Sequence, residues 1–286
     1  MKPNTITLPD GKSIGFDHSP TVLEVAQSIG AGLAKATLGA KFNGEPTVRD
    51  LREHVPDGTK IEIVTAKTAD GVNVIRHSAA HIMAQAVQSL WPDVKVTIGP
   101  VVDNGFYYDF DSPRTFSTDD FEKIEKAMGK IIAADLEIRR EEVEWQKAKD
   151  LFSKLGEKFK IELIDDIIAK SGEKTVGIYH NGDQWFDLCR GPHVQRTGQI
   201  KAVKLMSIAG AYWRGDEKRE QLQRLYATAF ADKKDLDLYL SRLEEAKKRD
   251  HRKLGKDLGL FMFHPYAPGS PFFTGKGSTI YNELVT

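Results

Sequence analysis

The sequence is poor in cysteine, and it has neither a long apolar run nor an excess of one charge. Its 286 residues include one cysteine, Cys189, so an intramolecular disulfide is excluded. No apolar stretch reaches the roughly 20 residues that cross a bilayer, and the N-terminus lacks the charged-then-apolar pattern of a signal peptide. Lys plus Arg and Asp plus Glu both number 41, so contact with nucleic acid would depend on local basic patches. These absences predict a soluble, cytoplasmic protein.

The composition is that of a folded protein. Apolar residues make up 40% and charged residues 29% of the chain, far from the signature of disorder. A chain of this length exceeds one typical domain, so two or three folded units are expected.

The first 65 residues have the pattern of a small β-grasp domain. Asp10-Gly11 between alternating segments predicts a hairpin. Thr21, with Glu24 three residues on, predicts the start of a helix that Gly30 ends. Strand signals at 38–42 and 61–64 complete a β-α-β unit, which resembles a TGS domain.

A second unit is predicted to begin at Asp70-Gly71. Its first helix, 74–90, has an apolar stripe, and His77 and His81 lie nearly opposite that stripe. Further predictions are a hairpin at 103–105, helices 117–134 and 144–155, strands 178–180 and 185–188, a loop at 189–193 and an exposed charged helix at 233–252.

Two pairs of potential donors share a four-residue spacing. His77 and His81 are one helical turn apart, and Cys189 and His193 repeat the offset on a loop. Together they would form a tetrahedral zinc set. Surface or hydrogen-bonded histidines and a buried structural cysteine are the ordinary alternatives, which spacing alone leaves open.

The motifs Arg76-His77-Ser78-Ala79-Ala80-His81 and Asp187-Leu188-Cys189-Arg190-Gly191-Pro192-His193 resemble the editing domain of bacterial threonyl-tRNA synthetases. Segments 98–100, 103–109 and 209–216 are similar to that family in order and spacing. The resemblance implies an α+β fold with these parts: a TGS domain (1–65), an editing domain (66–230), a helical linker (231–252) and the incomplete start of a class II catalytic domain (253–286).

The resemblance implies hydrolysis of mischarged Ser-tRNA(Thr). A binding pocket rejects a substrate smaller by one methylene only about 10–200-fold, so a second, smaller pocket is needed to remove serine. Aminoacylation would be absent, because no glycine-rich phosphate loop and no cluster that could hold ATP and magnesium is recognisable. The alternative is a non-catalytic tRNA-binding or regulatory fragment.

Roles follow from the family motifs position by position. His77 would bind the free ribose hydroxyl, and Lys160 would activate water, since a lysine desolvated in a cleft can lose its proton. Lys158 lies on the same face if this segment is a strand, so only the resemblance selects Lys160. The implied catalytic residues are His77, His81, Lys160 and His193, and the implied substrate-binding residues are Gly99, Tyr108, Asp187 and Cys189.

The implied partners are the acceptor end of tRNA(Thr) and its mischarged seryl-adenosine. Editing would need no cofactor; zinc on His77, His81, Cys189 and His193 is the open alternative, and ATP and Mg²⁺ belong to the full-length enzyme. We expect this chain to be monomeric, because the family dimerises through its catalytic domain.

Overall fold

A computed structural model describes residues 4–285 of the chain. The chain divides into two compact units, one up to Lys233 and the other from Lys234 on. Among the described residues, none of the helices has the length and apolar character needed to span a membrane.

The first unit opens with the predicted β-grasp elements. Thr21 and Glu24 form the predicted capping box, with the Glu24 amide 3.2 Å from Thr21 Oγ1 and the Thr21 amide 2.7 Å from Glu24 Oε2. Gly30 ends the helix, as predicted. A second short helix, which was not predicted, follows it. The elements are β1 (Asn4–Thr7), β2 (Ser13–Phe16), α1 (Val22–Ile29), α2 (Ala31–Ala36), β3 (Thr37–Phe42) and β4 (Ile61–Thr65).

The two hairpins of this segment pack around a small core. A parallel bridge between Thr7 and Lys60 sets the end of β1 beside the start of β4. Apolar residues on α1 and the strands then close the core, because each element buries its apolar face there. The buried members are Ile6, Val22, Val25, Ala40, Phe42, Leu51, Val55 and Ile61.

A 22-residue helix, α3 (Ala69–Leu90), forms the centre of the rest of this unit. It begins five residues before the predicted start, because Thr68 caps it by accepting from the Gly71 amide at 3.1 Å. Its apolar stripe packs on β7 (Gly105–Asp111), whose hairpin with β6 (Val101–Val102) lies where Asp103-Asn104-Gly105 predicts it.

That strand belongs to a sheet of five strands, in which β11 (Ala202–Tyr212) and β12 (Gln221–Phe230) were not predicted. With β5 (Lys95–Val96), the order is β11-β12-β7-β5, and β6 pairs with β7 on the side of β5. All pairs are antiparallel. The helices α3 and α4 (Phe121–Ala133) contact each other and pack on this sheet.

A smaller sheet has the order β10 (Trp185–Leu188), β9 (Thr175–Asn181), β8 (Ile138–Glu144). It lies beside α5 (Trp145–Lys154) and α6 (Lys158–Ser171). The predicted α5 and both predicted strands are present, whereas β8 and α6 were missed. The possibility of a strand around Lys158 and Lys160 was wrong, since both lie in the first turn of α6.

The second unit begins with the predicted charged helix. Of the residues in α7, Leu236 alone is fully buried, as expected for an exposed connector. A short helix, a hairpin and a final helix follow. The elements are α7 (Lys233–Lys248), α8 (His251–Asp257), β13 (Phe261–His264), β14 (Ala267–Phe273) and α9 (Gly275–Val285).

Candidate functional site

Helix α3 supplies His77, Ser78 and His81 to one site. The two histidines lie off the apolar stripe, as predicted, and their rings are 5.6 Å apart. They are nevertheless not solvent-facing: His81 is only 4% exposed, and His77 is half-buried. The loop at 189–193 and the smaller sheet cover this face of the helix, which a one-helix periodicity cannot reveal.

The loop at 189–193 brings Cys189 and His193 to the two helix histidines. The Cys189 Sγ lies 3.3 Å from His77 Nε2 and 3.3 Å from His193 Nε2. The His193 ring is 4.3 Å from the His77 ring and 4.2 Å from the His81 ring. The four donors that sequence spacing grouped in two pairs therefore form a single cluster.

The hydrogen bonds of the cluster indicate which ring nitrogen carries the proton. Ser78 Oγ donates to the Val74 carbonyl at 2.9 Å, so it must accept from His193 Nδ1 at 3.1 Å. His77 Nδ1 lies 3.2 Å from the Pro192 carbonyl, which can only accept. In both histidines Nδ1 is thus the donor, and Nε2 faces the sulfur.

Charge in this cluster is concentrated on Cys189 and His77. Burial opposes ionisation of the thiol, but the charge of a protonated His77 beside it brings the pKa of Cys189 well below its usual value. Burial would lower the pKa of His77, but the adjacent thiolate and the Pro192 carbonyl raise it. Burial and the neighbouring imidazoles lower the pKa of His193 to about 3, which keeps it neutral. These shifts favour a negative charge on Cys189 and a positive charge on His77, beside a neutral His193 imidazole.

A second network joins Lys160, Tyr108 and Asp187. Lys160 Nζ lies 2.5 Å from Asp187 Oδ1 and 2.9 Å from the Tyr108 hydroxyl, which donates to Asp187 Oδ2 at 2.6 Å. The side chains are at most 2% exposed. Burial and the Asp187 charge raise the pKa of Tyr108 well above its usual value, so the phenol stays protonated. Asp187 also connects the two networks, since its Oδ2 lies 3.7 Å from His81 Nε2.

The structure distinguishes Lys160 from Lys158, which the sequence pattern alone could not. Residues two apart in a helix point in widely different directions. Lys158 has a half-exposed side chain and pairs with Asp111 at 3.3 Å and Glu220 at 3.1 Å. Lys160 turns inward to the buried network instead.

Gly99 lies against the ring of Tyr108. A Cβ built at this position would come within 2.3 Å of Tyr108 Cδ2, so any larger residue would displace the tyrosine. The Tyr108 ring thus fills the space that a side chain at position 99 would need, and the approach of the Gly99 backbone to a ligand stays a prediction. Gly99 therefore affects the site through its contact with the Tyr108 ring.

The histidine and cysteine donors fit a tetrahedral zinc ion. One ligating atom from each lies within 4.8 Å of the others. His77 and His193 both have Nδ1 bound to a protein oxygen, the outer partner that metal-ligating histidines use. His81 has no such outer partner among the described residues, because its buried Nδ1 is without a hydrogen bond.

Three buried residues of this region were not singled out from the sequence. Ser78 stands inside the motif with His77 and His81, which is a signal that could have been used. Glu157 accepts from Gln88 Nε2 at 2.7 Å and from the Val96 amide at 3.1 Å, just before the helix that carries Lys160. Asp50, from the N-terminal domain, contacts the loop at 189–193, and no local pattern marks it.

A cleft of about 400 Å³ is lined in part by Cys189. Its apolar lining residues belong to α6, β9 and β10, and charged side chains line it as well. The lining residues are Arg140, Glu142, Leu163, Ile167, Glu173, Thr175, Val176, Gly177, Leu188, Cys189 and Arg190.

Comparison with known families gives two matches inside the first unit. Residues 4–65 match the TGS domain, and residues 176–226 match the "Threonyl and Alanyl tRNA synthetase second additional domain". The second match contains Asp187, Cys189 and His193. An α+β fold with these two domains belongs to the aminoacyl-tRNA synthetases.

Related proteins indicate which family within the aminoacyl-tRNA synthetases the chain resembles. The chain is 65% identical over 286 residues to a threonine–tRNA ligase of Bdellovibrio bacteriovorus, covering 100% of the chain and 43% of that protein. Threonine–tRNA ligases of Anaeromyxobacter dehalogenans and Marinobacter nauticus are each 50% identical over 98% of the chain, which covers 42% and 43% of them. The chain thus spans less than half the length of these relatives. It belongs to the threonyl-tRNA synthetase family and corresponds to the N-terminal region of its members.

Proposed function

We propose that this chain hydrolyses serine from mischarged tRNA(Thr) at the site formed by its two buried networks. The observation that carries the proposal is the junction at Asp187, which faces Lys160 on one side and His81 on the other. A charged amine, a carboxylate and several imidazoles in one place suit hydrolysis of an aminoacyl ester.

Lys160 and Asp187 are the proposed pair for water activation. The oxygen of water attacks the ester carbonyl while its proton passes to the neutral amine of Lys160. Asp187, 2.5 Å away, can hold the proton that the ammonium must first give up. The bond from the carbonyl carbon to the ribose oxygen then breaks, the ribose oxygen takes the proton that Lys160 received from water, and free serine leaves.

The histidine cluster is proposed to bind and orient the substrate end of the tRNA. His77 binds the free ribose hydroxyl, and His81 and His193 place the water or the ester. Tyr108, Asp187 and Cys189 bind the amino and hydroxyl groups of the seryl moiety. The apolar cleft beside Cys189 offers an approach for the terminal nucleoside.

Selectivity against threonine would follow from the rigidity of the pocket. Tyr108 and Asp187 are each 1% exposed and hydrogen-bonded to each other, so neither can yield to an added methyl group without losing that bond. We expect threonyl-tRNA to be hydrolysed at least about tenfold more slowly than seryl-tRNA, as for other pockets that exclude one carbon.

We propose that hydrolysis needs no metal, because Lys160 and Asp187 offer a route for the proton of water. A zinc ion, if bound, would be held by His77, His81, Cys189 and His193 and would supply Lewis acidity at the carbonyl. Hydrolysis measured with and without a chelator, together with the metal content of the purified chain, separates these two cases.

The central experiment follows loss of the amino acid from seryl-tRNA(Thr) and threonyl-tRNA(Thr). The wild-type chain should release serine far faster, and His77→Asn and Lys160→Met should be inactive. Lys158→Met is the matched control, since Lys158 lies two residues away on the same helix but is half-exposed. Full turnover by Lys160→Met would contradict the assignment.

The rival function is a tRNA-binding fragment without catalysis. It would depend on basic groups at the end of α7 and just after it, but Lys248 and Arg249 already pair with Glu245 at 3.0 and 3.5 Å. Retention of seryl-tRNA on the chain without any release of serine would favour this reading.

A further inference from the structure

A carboxylate of the N-terminal TGS domain lies directly behind the loop at 189–193. Asp50 is 3% exposed, and its Oδ2 accepts from the His193 amide at 3.1 Å and from the Tyr179 hydroxyl at 2.9 Å. The ring of Tyr179 in turn lies 4.5 Å from the ring of His193. Asp50 therefore contacts the backbone of one site residue and, through Tyr179, the side chain of the same residue.

Arg52 binds the same loop from the same domain. It donates from Nη1 to Asp50 Oδ1 at 3.1 Å and from Nη2 to the Val194 carbonyl at 3.1 Å and to the Ile138 carbonyl. The Asp50 charge is thus compensated, and the guanidinium donates to backbone carbonyls of the editing domain across the contact. Because a buried carboxylate is costly unless it is paired and hydrogen-bonded, this arrangement holds only while the two domains stay together.

The loop itself is shaped to receive these groups. Gly191 has a φ of +79°, and a Cβ there would lie 2.0 Å from the Tyr179 hydroxyl and 3.2 Å from Asp50 Oδ2. The loop thus turns over Tyr179 at a distance that leaves no space for a side chain. Just after it, Gln195 Nε2 donates to the Ala34 and Thr37 carbonyls at 2.7 and 3.1 Å, a further attachment to the TGS domain.

We propose that Asp50 is a positioning residue for ester hydrolysis, through which the TGS domain holds Cys189 and His193 in place in the editing site. This inference rests on the proposed function. Asp50 touches no substrate; it acts through the His193 amide and Tyr179. The TGS domain would then be a structural part of the hydrolytic site as well as its neighbour in the chain.

An asparagine at this position cannot reproduce the contacts. If its amide group faces Arg52, two donors meet; if it faces the other way, it meets the His193 amide and the Tyr179 hydroxyl. Either orientation leaves a buried donor without an acceptor, so the loop has to move. Small displacements of catalytic groups reduce rates strongly, and we expect kcat of Asp50→Asn to fall about 10- to 100-fold.

The test measures seryl-tRNA(Thr) hydrolysis by the full chain at a temperature where circular dichroism shows each variant to be folded. Asp50→Asn should lower kcat by a larger factor than it raises KM, because it displaces His193, which places the water or the ester, while the seryl contacts of Tyr108 and Asp187 do not depend on Asp50. Tyr179→Phe should lower kcat less, and the double variant should be less than additive, since both act on one carboxylate oxygen. Asp17→Asn, a fully exposed carboxylate of the same domain, is the matched control.

Hydrogen exchange gives a readout independent of turnover. The peptide that contains residues 189–194 should exchange faster in Asp50→Asn than in the wild type and Asp17→Asn, because the His193 amide loses its acceptor. Folded Asp50→Asn with wild-type kcat, or with unchanged exchange in this peptide, would overturn the inference while the proposed function stood. A wild-type chain that releases no serine would overturn both.

Discussion

Replacement of Lys160 by methionine tests the energetic role of the buried network. Methionine preserves much of the length of the side chain but removes the ammonium 2.5 Å from Asp187. The carboxylate, 1% exposed, would keep its hydrogen bonds from Tyr108 and the Leu188 amide but lose the ammonium that pairs with it. Removing one partner of a buried ion pair costs about 3–5 kcal/mol, and the two surviving hydrogen bonds favour the lower end.

The matched control is Lys158→Met. Its ion pairs with Asp111 and Glu220 are solvent-exposed, so their loss should cost less than about 1 kcal/mol. The double variant Lys160→Met with Asp187→Asn should be more stable than Lys160→Met alone, because it leaves no unpaired charge.

Urea unfolding followed by tryptophan fluorescence measures these differences. All four tryptophans precede Lys234, so the signal reports on the first unit. A loss of about 3–5 kcal/mol corresponds to a fall in Tm of about 6–20 °C for a unit of this size. If Lys160→Met is as stable as Lys158→Met, Asp187 does not carry an uncompensated charge in the variant, and the predicted loss of stability is refuted.

Three further predictions use the same unfolding assay. Gly99→Ala should destabilise the first unit by about 1–3 kcal/mol, because its Cβ would come within 2.3 Å of Tyr108, and a smaller loss would refute that contact. Thr21→Ala should cost about 1 kcal/mol by removing the cap of α1, without slowing serine release. Burial opposes ionisation of Asp50, but Arg52 and hydrogen bonds from amides hold its pKa below the ordinary value of an aspartate, so the folded state binds fewer protons there. The stability advantage over Asp50→Asn should therefore be complete at neutral pH and shrink below about pH 4, and an advantage independent of pH would contradict this assignment.

The parts of the fold that were predicted from the sequence depend on neighbours in the chain. The capping box of Thr21 and Glu24 was one of these, and the turn at Asp103-Asn104-Gly105 was another. The segments that were missed have ambiguous local patterns: β8, with the sequence IRREEVE, is mostly charged, and α6 begins with alternating Lys-Phe-Lys-Ile that also fits a strand. In both segments, tertiary contacts within and against the smaller sheet outweigh the local preference of the sequence.

The candidate site also has features that the sequence predicts and features that only the tertiary structure decides. Sequence by itself determined the spacing of His77 to His81 and of Cys189 to His193, because each pair lies within one short element. Only the tertiary structure decided that the pairs meet, that Lys160 rather than Lys158 faces Asp187, and that Asp50 reaches the loop from another domain. Asp50 and His193 are 143 residues apart, and such a contact depends on how whole domains pack, which no local periodicity encodes.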